Sequence, residues 1–290
     1  MKIILSRKGF DSTAGGVPSP ILPDGRIVSL PIPDPSSPVR YGEIGGPGRD
    51  VGELVSNLTR GRVRRSSRAH LDPDLVAQDR PRPTGWQPLF GQEGAAQGHL
   101  RNQGVGPGDL FVFFGLFQRV LRRHGRYRFD RSSPRIHLIW GWLQIADMVP
   151  VAECPDSIRR WAREHPHFSH PASADNVLYL GRKELIFPNG GKTGLAGSGV
   201  CPRYHRLLQL SDPGSSLPSH WRLPVWMHPG NGRSAMTYHR DAARWSDSGG
   251  ITRLRSASRG QEFVFRASEY PQALRWLEGL IARLIRSDPS

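Results

Sequence analysis

The sequence is poor in cysteine and has no long apolar run. Its 290 residues include two cysteines, Cys154 and Cys201, which lie too far apart to suggest a disulfide framework or a cysteine-rich zinc site. No apolar stretch approaches the roughly 20 residues of a membrane-spanning helix, so the sequence predicts no membrane partner. The first residues also lack the apolar core of a secretory signal, which together with the low cysteine content predicts a cytoplasmic protein.

Several familiar catalytic motifs are absent as well. The chain contains no Gly-x-Ser-x-Gly elbow, no His-Glu-x-x-His zinc motif and no Walker A loop. Serine hydrolases with that elbow, metalloproteases with that zinc motif and P-loop nucleotidases are therefore not indicated. The candidate functional residues are therefore groups of polar side chains that match none of these motifs.

Lysine is scarce, but positive charge is abundant. Lys and Arg total 40 against 25 Asp and Glu, a formal net charge of +15, and only four of the 40 are lysines. This balance favours a polyanionic partner such as nucleic acid, although a GC-rich genome also encodes arginine often. Five arginines between residues 60 and 68 form either a solvated loop or a phosphate-contacting patch.

The apolar pattern predicts an α+β protein that is mostly β. Glycine and proline make up about a fifth of the chain, against roughly 12% in average proteins, and they interrupt most helical stretches. Residues 109–117 and 135–149 are aromatic and β-branched, which favours neighbouring strands of a central sheet, either small and barrel-like or twisted. Strands are also predicted at 2–6 and 261–265, with a hairpin loop at 118–131, short helices, and a C-terminal helix. No linker divides residues 1–290, so we expect a single domain.

The strongest local pattern for chemistry is the segment 69–75. It places His70, Asp72 and Asp74 at every second position, so an extended backbone would direct all three side chains to one side. Imidazole and carboxylate are donors that iron, manganese and zinc accept. The alternative is an Asp-Pro-Asp turn whose carboxylates cap backbone N–H groups.

Two further loops carry candidate residues. The N-terminal strand runs into a loop with Arg7 and Asp11, and a Gly/Ala-rich segment holds His99 and Arg101. Asp11 and His99 offer additional metal ligands or acid–base groups, and the two arginines suit an anion. The alternative for the Gly/Ala-rich segment is a loop whose polar side chains have no special role.

The remaining histidines and the aromatic strands leave alternatives open. His165, His167 and His170 offer three imidazoles in six residues, either as metal ligands or as a surface loop, and His137 and His239 are further candidates. Aromatic residues of the two central strands could stack a base or fill the core. These residues are Phe111, Phe113, Phe114, Phe117, Trp140 and Trp142.

Five sequence blocks resemble the bacterial and phage family called nucleotide modification associated domain 3. They are SRKGFDS at 6–12, PSPILPDG at 18–25, AHLDPDL at 69–75, GHL at 98–100 and GDLF at 108–111. The resemblance implies a role beside enzymes that modify nucleobases, and it implies that Asp11, the 70–74 cluster and His99 belong to one site. A shorter likeness to PUA, ASCH and EVE barrels, in 105–114 and 137–147, implies recognition of RNA or a modified base.

Three hypotheses follow. The first is a metal-dependent enzyme that modifies nucleotides or bases in nucleic acid. Asp11, His70, Asp72 and His99 would hold a divalent ion, Fe(II) first and Mn or Zn as alternatives, and Asp11, Arg7, Arg101 and Asp74 would form the catalytic set. The second is a non-catalytic PUA/EVE-like reader of modified DNA or RNA. The third is a metalloenzyme that modifies a peptide or small molecule.

Overall fold

The computed structural model describes residues 1–46, 49–170, 175–188 and 192–286. The strands are, in chain order, β1 (Lys2–Arg7), β2 (Ser19–Ile21), β3 (Ile32–Pro33), β4 (Gly45–Gly46), β5 (Arg49–Asp50), β6 (Ala69–His70), β7 (Leu89–Gln92), β8 (Leu110–Arg123), β9 (Arg126–Phe129), β10 (Ile136–Pro150), β11 (Val177–Gly181), β12 (Glu184–Ile186), β13 (Lys192–Ala196), β14 (Ser198–Val200), β15 (His220–Pro224), β16 (Trp245–Ser248), β17 (Ile251–Arg255) and β18 (Glu262–Arg266). The α-helices are α1 (Val51–Leu58), α2 (Gly94–Asn102), α3 (Asp156–Ala162) and α4 (Gln272–Arg286). The α+β, mostly β prediction with a C-terminal helix is confirmed.

A nine-stranded sheet forms the centre of the protein. Its main path runs β18-β1-β8-β10-β11-β7, with β14 paired to β10 and with β2 and β9 paired to β8. Strands β1 and β2 run parallel to β8, and the other pairs are antiparallel. In the described residues the sheet is open, since its path ends at β18 and β7 rather than closing on itself. Of the two predicted forms, the closed barrel is therefore not observed in this part of the chain.

The segment 118–131 between the two long strands was predicted as a hairpin loop, but most of it is strand. Strand β8 continues to Arg123, and β9 returns antiparallel to it over Arg126–Phe129. The turn uses His124 and Gly125, both at positive φ, as a two-residue hairpin of this hand requires. In β9, exposed arginines alternate with half-buried aromatic residues, which is a strand pattern. The prediction missed this pattern because the segment is strongly basic.

The aromatic side chains of the long strands lie in the core. Phe111, Phe113, Phe114 and Phe117 are at most 1% exposed, and Trp140 and Trp142 are 6% and 4% exposed. Phe111 and Phe113 contact Phe90 from β7, with ring centroids 4.9 and 5.3 Å apart, which ties the edge of the sheet to its centre. Each buried side chain of this size contributes about 1.5–3 kcal/mol relative to exposure. A base-stacking role for this set is therefore not supported.

Two smaller apolar clusters flank the main core and frame the region of interest. One surrounds α1 and includes Ala69 and Leu71, on either side of His70. The other lies beneath α3 and includes Leu89 of β7 and Leu178 of β11. Among the helices of the described residues, none combines the length and apolar character that a membrane crossing requires.

The pKa values of two core histidines predict that the stability of the fold decreases in acid. Burial lowers the pKa of His137 and of His239 to about 4, so both are neutral in the folded protein at neutral pH. In the unfolded chain their pKa is near 6.5, so the unfolded state binds more protons between about pH 6.5 and pH 4. We expect the melting temperature to fall as pH falls through this window.

The variant His137→Gln tests this. Its amide oxygen can still accept the hydrogen bond that the Trp221 indole N–H donates to His137 Nδ1 at 2.9 Å, but it cannot titrate. Thermal unfolding of the variant should show a shallower decline between about pH 6.5 and pH 4 than the parent protein. Parallel pH profiles would contradict the assignment.

Candidate metal centre

Four histidines and two aspartates converge beside the β7 edge of the sheet. His70 ends β6, and its pairing with Ile32 of β3 brings Asp34, which directly follows β3, next to the His70 ring. Asp72 lies two residues beyond His70. The chain after α3 then turns through a short 3₁₀ helix, Pro166–Ser169, and so supplies three imidazoles to the same place. These are His165, His167 and His170.

The Asp72 carboxylate is the centre of this group, with its side chain 4% exposed. Its Oδ1 accepts a hydrogen bond from the Gly91 N–H at 2.8 Å and lies 3.2 Å from His165 Nε2. Its Oδ2 faces His167 Nε2 at 3.6 Å and His70 Nε2 at 3.8 Å. Three imidazole nitrogens therefore point at one buried carboxylate.

Neighbouring side chains fix which nitrogen of the His167 and His70 rings carries a proton. Asn176 Nδ2 donates to the His167 backbone oxygen at 3.0 Å, which directs Asn176 Oδ1 towards His167 Nδ1 at 2.6 Å. Because an amide oxygen only accepts, Nδ1 of His167 carries hydrogen. In the same way, Asp34 Oδ2 accepts from His70 Nδ1 at 2.9 Å. In the neutral rings, both Nε2 lone pairs then face the Asp72 carboxylate.

A lone pair facing a carboxylate is repulsive unless a cation lies between them. Burial alone would raise the pKa of Asp72, but the hydrogen bonds and charges of His165 and His167 hold this pKa far below its usual range. Burial lowers the pKa of His70, whereas in His167 the contact with Asp72 outweighs burial and raises the pKa. The buried negative charge thus attracts either protons or a metal ion.

The donor set fits a metal ion. One ligand atom each from His70, Asp72 and His167 lie within 4.8 Å of one another. With bonds of about 2.0–2.2 Å, neighbouring ligands of a tetrahedral ion lie about 3.4 Å apart, close to the observed 3.6 and 3.8 Å. The hydrogen bonds to Asn176 and Asp34 are the outer partners that orient metal-bound histidines in proteins.

The structure brings only part of the predicted set together. His70 and Asp72 converge, but Asp74 turns away. The Asp74 carboxylate forms a bidentate ion pair with Arg82, with both distances 2.6 Å, and the Arg82 guanidinium stacks on Trp86. Its backbone meanwhile pairs with that of Leu89 through two hydrogen bonds. Asp74 therefore anchors the 80–86 loop through Arg82.

The other predicted residues lie in separate surroundings. Asp11 Oδ1 caps its own turn through the Thr13 and Ala14 N–H groups at 2.8 Å, and the Arg7 guanidinium donates to backbone oxygens of Ser258 and Gly260. His99 Nε2 lies 3.1 Å from Thr237 Oγ1, and the mostly exposed Arg101 pairs with Asp175. Neither Asp11 nor His99 belongs to a group of three metal-ligand side chains among the described residues.

The histidines that the sequence left open divide clearly. His165, His167 and His170 contact Asp72 or Asp34, whereas both ring nitrogens of His239 bond to backbone groups, of Thr237 and Ala257. Asp34 and Asn176 were not identified from the sequence. Asp34 forms a local turn with Ser36 and resembles any Asp-Pro-Ser turn, and Asn176 is a lone amide before a strand. Glu93, which lies just before the Gly/Ala-rich segment that holds His99 and Arg101, also contacts the centre through His170 at 2.7 Å.

Gly91 provides a steric test of the centre. A Cβ at this position would lie 2.3–2.6 Å from ring atoms of His167, so Gly91→Ala must displace that imidazole. We expect at least a 10-fold loss of metal affinity, by analogy with the loss of an outer partner of a metal-bound histidine. Gly106→Ala is the control, since its Cβ meets nothing within 4 Å. Equal metal affinity for the two variants, measured by competition with a chelator, would contradict the model of the centre.

The hydrogen bond from His167 to Asn176 provides a second test of the centre. Asn176→Ala removes the acceptor for His167 Nδ1–H and frees the ring to rotate, so we expect metal affinity to fall about 10–100-fold. Asn57→Ala, on the surface helix α1, should leave affinity unchanged. Circular dichroism of both variants separates a local effect from unfolding.

A family model described as nucleotide modification associated domain 3 matches residues 2–266 of the 290-residue chain. No curated protein and no solved structure matches the chain. The matched region contains every residue of the metal centre, from Asp34 to Asn176. The chain belongs to the nucleotide modification associated domain 3 family.

Proposed function

We propose that this protein is a metal-dependent enzyme that modifies nucleotides or bases in nucleic acid. The observation that carries the proposal is the buried Asp72 carboxylate, which three imidazole Nε2 atoms face at 3.2–3.8 Å. Membership in a family named for its association with nucleotide modification supports the substrate class.

His70, Asp72 and His167 are the proposed metal ligands, with His165 adjacent to the same carboxylate. Nitrogen and oxygen donors of this kind suit Fe(II), our first assignment, and also Mn(II) or Zn(II). When bound, such an ion supplies a Lewis acid or, for iron, a centre that activates oxygen. The protein's own residues orient the site, because Asn176 and Asp34 fix the His167 and His70 rings through their Nδ1 atoms.

An apolar cavity lined in part by Leu71, Asp72 and Pro73 is the proposed substrate pocket. Its volume is about 240 Å³, larger than the roughly 150 Å³ that holds a benzene molecule in an engineered cavity. Apolar side chains dominate the lining beside Asp72, and Ser29 and Gln78 add polar groups. Trp140 also lines it, and its buried Nε1 has no hydrogen-bond partner among the described residues. Apolar walls with few polar groups suit a heteroaromatic base.

Positive charge on the surface would attract a phosphate-bearing substrate to the protein. The net charge is +15, and Arg60 and Arg64 are exposed at the end of α1 on the basic stretch 60–68. Such residues favour phosphate-bearing substrates through counterion release. Because the aromatic strands are buried, a reader that stacks a base on them is the less supported function.

The first experiment combines metal analysis with product detection. Protein purified without chelator should contain metal in stoichiometric amount. Metal-loaded protein incubated with nucleoside triphosphates or duplex DNA should yield a nucleoside of altered mass. Asp72→Asn and His167→Ala should lose metal and product together, by more than the roughly 10–100-fold that loss of an outer partner costs.

His205→Ala is the matched control, since His205 is an exposed histidine outside the centre. It should retain both metal and product formation. The absence of stoichiometric metal in the parent protein would overturn the proposal, as would undiminished product in the Asp72 and His167 variants.

A further inference from the structure

The Asp34 carboxylate repeats the construction found at Asp72. Its Oδ1 accepts hydrogen bonds from the N–H and hydroxyl of Ser36, at 2.8 and 2.5 Å. Its Oδ2 is thereby left to face two imidazole nitrogens, His70 Nδ1 at 2.9 Å and His170 Nε2 at 3.3 Å. In both aspartates one oxygen is held by its surroundings and the other faces histidines.

His170 is oriented towards Asp34 by a second carboxylate. Its Nδ1 lies 2.7 Å from Glu93 Oε1, which accepts and therefore places hydrogen on Nδ1. In the neutral ring the Nε2 lone pair then faces Asp34 Oδ2. Glu93 thus acts on His170 as Asn176 acts on His167, and a carboxylate in this position is a common outer partner of metal-bound histidine.

We propose that a second divalent ion binds between Asp34, His70 and His170. The ion takes the place of the proton on His70 Nδ1, which is released to solvent, so that the two nitrogens of the resulting imidazolate face two different ions. One ligand atom from each of these three residues lies within 4.8 Å of the others, and His70 is common to this group and the Asp72 group. The observed distances of 2.9 and 3.3 Å match the spacing of neighbouring ligands around a zinc-sized ion, about 3.4 Å. The inference rests on the proposed function, because it adds an ion to the same centre.

The two positions differ in their exposure to solvent. At the Asp72 position the side chains of His165 and His167 are 1% and 3% exposed, whereas His170 and Glu93 are 23% and 37% exposed. The Asp34 ion is therefore the one that exchanges more readily with solvent. We expect it to be lost first on dialysis against a chelator.

Counting tightly bound ions tests this directly. Chelator-treated protein is titrated with Zn(II) in the presence of a competing chelator of moderate affinity, and bound metal is measured by mass spectrometry. The parent protein should bind two equivalents. Glu93→Ala, which removes the acceptor for His170 Nδ1–H, and His170→Ala should each bind one and should retain the fold by circular dichroism. His205→Ala should bind two, which excludes a general loss of histidine sites.

A spectroscopic measurement tests the bridge itself. With Cu(II), the first equivalent should give a full mononuclear electron paramagnetic resonance signal. The second should give less than the sum of two, because His70 couples the ions. One bound equivalent in the parent protein, unchanged by Glu93→Ala, would overturn the second site and leave the proposed function standing. Two uncoupled signals would overturn the bridge, and no bound metal would overturn both proposals.

Discussion

The position of one buried carboxylate constrains the rest of the functional region. Asp72 carries a negative charge in a place with almost no water, and an isolated buried charge costs several kcal/mol unless it is paired. The protein supplies a backbone N–H from Gly91 and three imidazole nitrogens. The centre is therefore stable only with positive charge inside it, which is the physical basis for a metal site.

The fold assembles this centre at the edge of the sheet by bringing distant segments together. Strand β11 pairs with β7, so Asn176, directly before β11, lies near Gly91. Pairing of β3 with β6 places Asp34 beside His70. Gly91 is required twice, because its N–H binds Asp72 and its missing side chain leaves room for the His167 ring. Apolar clusters beside α1 and beneath α3 keep these segments fixed.

Local spacing predicted part of the centre and failed where long-range contacts took over. His70 and Asp72 were identified because alternation in an extended segment directs both to one side. The same rule selected Asp74, but the ion pair with Arg82 is stronger than the local preference and turns that carboxylate away. Asp11 and His99 were grouped with the centre through family resemblance, and the described structure gives them other partners.

Local patterns were enough to predict the α+β class, the central strands, the C-terminal helix, the family and two residues of the centre. These features follow from periodicity, strand-forming composition and motifs, all of which are local. Contacts formed on folding establish that the aromatic strands are core, that the histidines at 165, 167 and 170 face Asp72 and Asp34, and that Asn176 and Glu93 orient them. Those facts depend on contacts between residues as many as 136 positions apart, as for His170 and Asp34, and no local pattern encodes them.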